Sequence, residues 1–355
     1  MRGAERAVVC LDAPAADATI RDGGDLMRTR VLPAMLALAL SPSLSMGGGA
    51  AFARVDGAAE AKAAFAATLR SAQDGDATRY VDLAKLYLDG EGVDRDVTQA
   101  LAWLRKGVAG GDPDAMVELG NIYFDGADGV KIDRRAAMKL YAQAARLGDP
   151  NGMYNLGVAY DGGEGLPENP RLALAWYLKA AAAGSARGYY SAGEAYLDGD
   201  GAPVDTAKGV ALLRKAIEMG SPDAMNEMGR LHSEGTGVRL DPAEALKFYR
   251  AAAANDLAAG MANLGVAHHN GEGVPVNYTE AMRWFQMAAD RGYLEAWYDL
   301  GVMCERGQGI KADDDLALRM YRKAAESKEA DLRQKAQKAI NRLQGVDDDD
   351  EVPVV

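Results

Sequence analysis

Cysteine is nearly absent from this 355-residue chain, which has only Cys10 and Cys304. Two thiols so far apart supply no disulfide framework, and removal of the N-terminus would leave one. Apolar packing must therefore hold the fold. Histidine is scarcer than in most metal sites, with three residues, and no Ser/His/Asp arrangement is suggested. Aromatics make up 7% of the chain although hydrophobic residues reach 48%. The apolar content is thus mostly Ala, Leu, Val and Met, a mix suited to closely packed helices. Positive charge is in deficit: 40 Lys+Arg face 52 Asp+Glu, a formal net charge of -12. Such a surface excludes nucleic acid and anionic membrane as expected partners, because phosphates require basic patches.

The N-terminus reads as an address. Arg28 and Arg30 precede a short apolar run, Val31 to Leu40, and Ala51-Phe52-Ala53 has a small-x-small pattern. This is the layout of a secretory signal peptide over residues 27–53, with cleavage expected after Ala53. The run is too short for an ordinary transmembrane helix. Asp17, Asp22 and Asp25 do not suit a signal n-region, so residues 1–26 are expected to be a leader that is disordered or not translated, with Met27 as the true start. The expected location is periplasmic or secreted. An uncleaved leader on a cytoplasmic protein is the alternative.

Internal repetition dominates residues 75–327. Similar segments begin at Gly75, Gly111, Gly148, Gly184, Gly220, Asp256 and Gly292, each 36 residues long except the second, which has 37. That period indicates stacked supersecondary units. Each unit reads as two helices. Ser221-Pro222, Asp112-Pro113 and Asp149-Pro150 pair an N-cap with proline at the first helical position. A glycine recurs within the first helix at Gly120, Gly157, Gly193, Gly229, Gly265 and Gly301, with Ala84 in the first unit. A mid-helix glycine costs about 1 kcal/mol relative to alanine, so its return implies a close approach that a side chain would block. Glycine pairs such as Gly235/Gly237 end that helix, and an apolar residue such as Val130, Val238 or Ile310 is expected to plug the loop onto the core. Asp96, Asp133, Asn169, Asp205, Asp241, Asn277 and Asp313 are the expected N-caps of the second helix. Aromatic or leucine pairs such as Trp176-Tyr177 and Phe248-Tyr249 follow. Residues 54–74 and 328–345 read as capping helices, and 346–355 as an acidic disordered tail.

The combination of Leu156, Gly157, Tyr160, Gly163, Gly165, Asn169, Ala173, Trp176, Tyr177, Ala180 and Ala181 resembles the Sel-one-like repeat of the tetratricopeptide-like superfamily. The fourth unit departs most, with Ala192, Ala202 and Gly209 at patterned positions. The resemblance implies an all-α fold: a right-handed α-solenoid of stacked antiparallel helix pairs with a concave groove. It also implies a non-enzymatic scaffold or regulator in a bacterial-type cell envelope, binding a protein or peptide. Some exported relatives are cysteine-rich and act on β-lactams, but this chain lacks those cysteines. The alternatives are a hydrolase of cell-wall or β-lactam substrates and a secreted factor acting on a host.

Chemistry is sparse. The glycine clusters lack the strand and the Gly-Lys-Ser/Thr ending of a phosphate loop. His232, His268 and Cys304 occupy one repeat position, held by Tyr87, Tyr123, Tyr160 and Tyr196 in earlier units. Packed helices lie about 8–10 Å apart, too far for three such residues to share one zinc ion, so a core ladder is expected and no metal. His269 is expected to be exposed. No cofactor is implied, and no carboxylate pair stands out for acid/base work.

By analogy with tetratricopeptide grooves, three rows on the first helices should face inward. They run from Val81 to Tyr298, from Asp82 to Asp299 and from Lys85 to Val302. Within them Asn121, Tyr154, Asn155, Tyr190, Glu194, Asn226, Arg230 and Tyr298 are the expected contact residues. Tyrosine gives area at low entropy cost and asparagine pairs with peptide amides. The acidic balance favours a partner with basic segments.

Overall fold

A computed structural model describes residues 49–163 and 165–346. The expected leader, most of the signal segment and nearly all of the acidic tail lie outside the described residues. Among the described residues the chain is all-helical, with sixteen α-helices, one 3-10 turn and no strand. Helix α1 (Gly49–Gln73) runs through the expected cleavage position and leads by way of the 3-10 turn Ala77–Arg79 into the repeats. Seven hairpins follow. They are α2 (Tyr80–Asp89) with α3 (Val97–Ala109), α4 (Pro113–Asp125) with α5 (Arg134–Arg146), and α6 (Pro150–Asp161) with α7 (Pro170–Ala182). Next come α8 (Ala186–Asp198) with α9 (Thr206–Glu218), and α10 (Pro222–Glu234) with α11 (Pro242–Ala254). The last two are α12 (Ala258–Asn270) with α13 (Tyr278–Asp290) and α14 (Leu294–Arg306) with α15 (Asp314–Ala324). Helix α16 (Ala330–Gln344) closes the series. The helices divide into two compact units, with the chain passing from one to the other between Gly188 and Tyr189 of α8.

Local chemistry sets each hairpin. All seven expected Asp/Asn residues cap their second helix: Asp96 accepts from the Gln99 amide, Asn169 from Leu172 and Asp313 from Leu316, with the others alike. Each such cap contributes about 1 kcal/mol. The cap's own N–H donates to the carbonyl of the ladder residue in the first helix. Examples are Asp96 to Tyr87 (2.9 Å), Asp241 to His232 (2.8 Å) and Asp313 to Cys304 (3.0 Å). The hairpin turn is thus closed through main chain, whichever side chain stands on the ladder.

The recurring glycine answers to an aromatic ring. A Cβ built on Gly157 would lie 2.5 Å from Tyr177, on Gly229 2.5 Å from Tyr249, and on Gly301 2.5 Å from Tyr321. Gly120 meets Tyr141 at 2.6 Å and Gly265 meets Phe285 at 2.7 Å. Where the partner is the slimmer Leu213, the distance at Gly193 relaxes to 3.1 Å. In the first hairpin Ala84 replaces the glycine, and the partner position holds Leu104; both are fully buried. Rings and glycines therefore interlock at van der Waals density, the condition for a well-ordered core.

In the unit ending at Gly188, the core gathers Leu83, Leu104 and Leu119 in one cluster and Met138, Tyr141 and Leu156 in another. In the unit beginning at Tyr189, Val210, Leu213, Met228 and Leu231 form one cluster. A larger one runs from Ala245 to Ile340 and includes Leu332, Ala336 and Ala339 of α16. The loop plugs are weaker than expected. Val130, Val238 and Val274 are half-buried against these clusters, but Ile310 is 36% exposed, because the loop lies at the hairpin edge.

The seat of α16 includes a carboxyl pair. Glu295, in the first turn of α14, hydrogen-bonds Glu329, the N-cap residue of α16. Its carboxyl is pushed up to about 7, first by burial and then by the charge and bond of Glu329, with Lys335 acting the other way. Lys335 is itself paired with Asp331 at 2.8 Å. Because the folded value lies above the unfolded one, this group favours the fold fully at acid pH. That contribution fades as pH climbs from the unfolded carboxylate range through about 7. The protection of α16 amides, measured relative to their intrinsic exchange rates, is expected to fall between pH 5.5 and 8, with a loss of roughly 2 kcal/mol after allowance for partial exposure. Glu295→Gln should flatten the profile; an unchanged pH dependence in that variant would remove the assignment.

Candidate partner-binding cleft

A concavity of about 730 Å³ lies wholly in the unit ending at Gly188. Its walls come from the 3-10 turn, α2, α4, α6, the start of α8 and the N-cap Asp112; none of the second helices contributes. All three rows expected to face inward contribute. Val81 and Val117 are buried in its floor, and Asp82, Glu118, Asn155, Lys85 and Asn121 supply polar groups. A fourth row, which the sequence reading missed, completes it: Thr78, Asp114, Asn151 and Arg187. These stand three positions before the first row, one helical turn away on the same face. That spacing was the signal available in the sequence.

The cleft is electrically graded. Asp82, Asp112, Asp114 and Glu118 are set against Lys85, whose Nζ lies 3.0 Å from Glu118. Asp114 is held above its usual range by desolvation, and then by the charges of Asp112 and Asp149. At the other end Arg187 donates to the Asn151 side-chain oxygen at 2.8 Å and lies 4.7 Å from the centre of the Tyr154 ring. Between them, Asn121 Oδ1 accepts from Tyr141 Oη at 2.8 Å and from Asn155 Nδ2 at 3.1 Å. Asn155 is only 6% exposed.

The expected contact residues divide. Asn121 and Asn155 line the cleft, whereas Tyr154 stands beside it, half-buried between the Tyr177 ring and Arg187. The remaining five belong to the other unit. Asn226 accepts from Asn263 Nδ2 at 2.8 Å, an amide pair between successive first helices like Asn121–Asn155. Tyr190 and Glu194 hydrogen-bond each other; burial, then the Glu227 charge, pushes the Glu194 carboxyl well above the usual range. Two expectations need correction. Tyr298 is packed on Tyr321 (ring centres 5.3 Å apart) in the core cluster that α16 completes, and it lies outside the cleft. Arg230 is spent within the fold. Its Nε donates to Glu227 at 2.9 Å, a second nitrogen bonds the same carboxylate, and a third reaches Glu234 at 2.5 Å. Burial disfavours the charge of Arg230, but the bonds and charge of Glu227 outweigh it and raise the guanidinium above its usual value.

The ladder position is structural. Cys304 is buried, and burial pushes its thiol up. The same effect lowers the half-buried His268, and His232 stacks on Phe248 with ring centres 5.5 Å apart. His269, expected to be exposed, is half-buried instead, with Nε2 3.1 Å from Gln308 and its ring beside Tyr278. Among the described residues no group of three or more His, Cys, Asp or Glu is placed to hold a metal ion. Nor is any helix long and apolar enough to cross a membrane.

Seven capped hairpins, five of them with an interlocked ring and glycine, define a helical-repeat protein. The Sel1 repeat model matches seven successive segments across residues 80–328, with boundaries at the starts of the first helices, and the chain belongs to the Sel1 repeat family. Among solved structures it resembles a protective antigen of uropathogenic Escherichia coli with an SLR fold, at 31% identity and a TM-score of 0.59. That match covers 79% of this chain and 60% of the antigen, so the chain spans less than two thirds of the antigen's length. A Sel1 repeat protein from Oxalobacter formigenes aligns at 27% identity and a TM-score of 0.60, over 77% of this chain and 80% of its own. Yeast Tom70, at 15% identity and a TM-score of 0.50, covers 81% of this chain and 59% of its own and shares the fold alone. No curated protein sequence matches the chain. Proteins of the Sel1 and tetratricopeptide-like type generally serve as interaction scaffolds rather than enzymes.

Proposed function

We propose that this chain is an exported, non-enzymatic scaffold of the cell envelope that holds a protein or peptide partner against its first helices. The carrying observation is the cleft of about 730 Å³ lined by first helices and the turns leading into them. Cap bonds fasten every hairpin and glycine–ring contacts fill five of the seven, while the cleft offers mostly polar, varied side chains over Val81 and Val117. Export is supported by the layout of residues 27–53, and N-terminal sequencing of mature protein should begin at Arg54. A start at Met1 or Met27 would reject cleavage.

The binding face is tested by site-specific photo-crosslinking in envelope extract. A photo-reactive residue replacing Asp114, in the cleft, should trap a partner. One replacing the exposed Arg135 on second helix α5 should not. The opposite pattern would reject the face. Turnover of a β-lactam or of cell-wall fragments by purified protein would replace the scaffold reading with a hydrolase.

A further inference from the structure

The walls of the cleft carry a more specific message, which rests on the scaffold reading above. We infer that the cleft takes an extended peptide segment, with its main chain held by the Asn121–Asn155 pair and a lysine or arginine side chain directed to the end bearing Asp82, Asp112 and Asp114.

The amide pair is the first observation. Asn121 Oδ1 already accepts two hydrogen bonds, from Tyr141 and from Asn155. Its own Nδ2 has no hydrogen-bond partner among the described residues, nor does Asn155 Oδ1. Asn155 is more than nine-tenths buried, yet it forms part of the cleft wall. Neither atom is sealed from solvent, so a ligand entering the cleft can reach both. Together it presents one donor and one acceptor, the complement of a peptide unit's C=O and N–H. Neither group is charged, so it selects main chain over an isolated ion.

Charge is the second observation and is independent of the first. Of the acidic groups in the cleft, Glu118 is balanced by Lys85. Asp82 bonds Arg79 at 3.2 Å on an exposed edge. Asp112 spends one oxygen capping α4, where it accepts from the Asp114 amide at 2.9 Å. Asp114 faces the charges of Asp112 and Asp149, with Lys85 acting the other way. This end favours a cation, whereas Arg187 at the other end repels one, and the gradient orients the bound segment. Three neighbouring first helices about 8–10 Å apart span about 16–20 Å, the reach of roughly five or six extended residues, so a nonapeptide crosses them with both ends to spare.

The test uses the full chain after signal removal and fluorescence anisotropy at low salt. The probes are three labelled, N-acetylated nonapeptides: alanine-based with two lysines, the same with two glutamates, and the lysine peptide with its central amides N-methylated. The lysine peptide should bind about ten-fold more tightly than either of the others. Asp112→Asn/Asp114→Asn should abolish the preference for lysine. Asparagine caps helices as well as aspartate, so the fold survives that change. Equal binding of lysine and glutamate peptides, tolerance of N-methylation, no binding at millimolar peptide, or a preference that outlives the double variant would each overturn the inference. A partner crosslinked from Asp114 by a neutral or acidic segment would likewise overturn it while leaving the scaffold reading standing.

Discussion

Gly157→Ala should destabilise this protein, although alanine is the better helix former by about 1 kcal/mol. The added methyl would lie 2.5 Å from the Tyr177 ring. Overpacking of that kind costs about 1–3 kcal/mol, and the ring has little room to retreat because Tyr177 is 5% exposed. The net loss should be about 1–2 kcal/mol, visible as a lower melting temperature. The sharper forecast concerns the pair. The first hairpin already carries alanine and leucine at these two positions, Ala84 and Leu104. Gly157→Ala combined with Tyr177→Leu should therefore be more stable than the sum of the single changes predicts. The cycle should give a coupling of about 1 kcal/mol or more. Gly301 and Tyr321 should behave the same way in the other unit. Additive effects in both cycles would mean that the ring does not enforce the glycine.

Arg230→Ala should cost more, about 2–4 kcal/mol. The guanidinium holds both oxygens of Glu227, which is 9% exposed, and its removal strands that carboxylate beside the raised Glu194. Breaking one side of a buried pair is expensive because the other charge stays behind. Adding Glu227→Gln to Arg230→Ala should recover most of the loss, by removing the stranded charge. Arg230→Lys should recover little, since an ammonium cannot make the forked contact. Melting temperatures read out all three; a stable Arg230→Ala variant would show that the pair contributes nothing.

The hairpins were legible in the sequence because their determinants are local and repeated seven times. Asp96 and its six counterparts each cap the helix they begin, so one residue carries the information for one boundary. The glycine at position 157 and its equivalents announced a close approach, though not that a ring would be the neighbour. The cleft was only partly legible. Asn121 and Asn155 stand in the cleft as their rows implied, but Tyr298 occupies the same row as Val117 and is buried with the last helices. Row membership gives direction around a helix; accessibility depends on what packs next, and that information lies outside the repeat. Arg230 misled for a similar reason. Its place in a row expected to face inward suggested a free side chain, whereas Glu227 and Glu234, three and four residues away, engage it. Arg187 was overlooked because it lies one turn before the rows chosen.

The bond from each cap amide to the ladder carbonyl carries an evolutionary consequence. Because the turn is fastened by atoms every residue possesses, drift from Tyr196 to His232, His268 and Cys304 leaves it intact. Each hairpin also contains its own fastening, so duplicating or losing a 36-residue block conserves every such bond in the blocks that remain. Lineages can thus lengthen or shorten the array by whole hairpins, and adjust reach toward a partner, without inventing a new fold at each step.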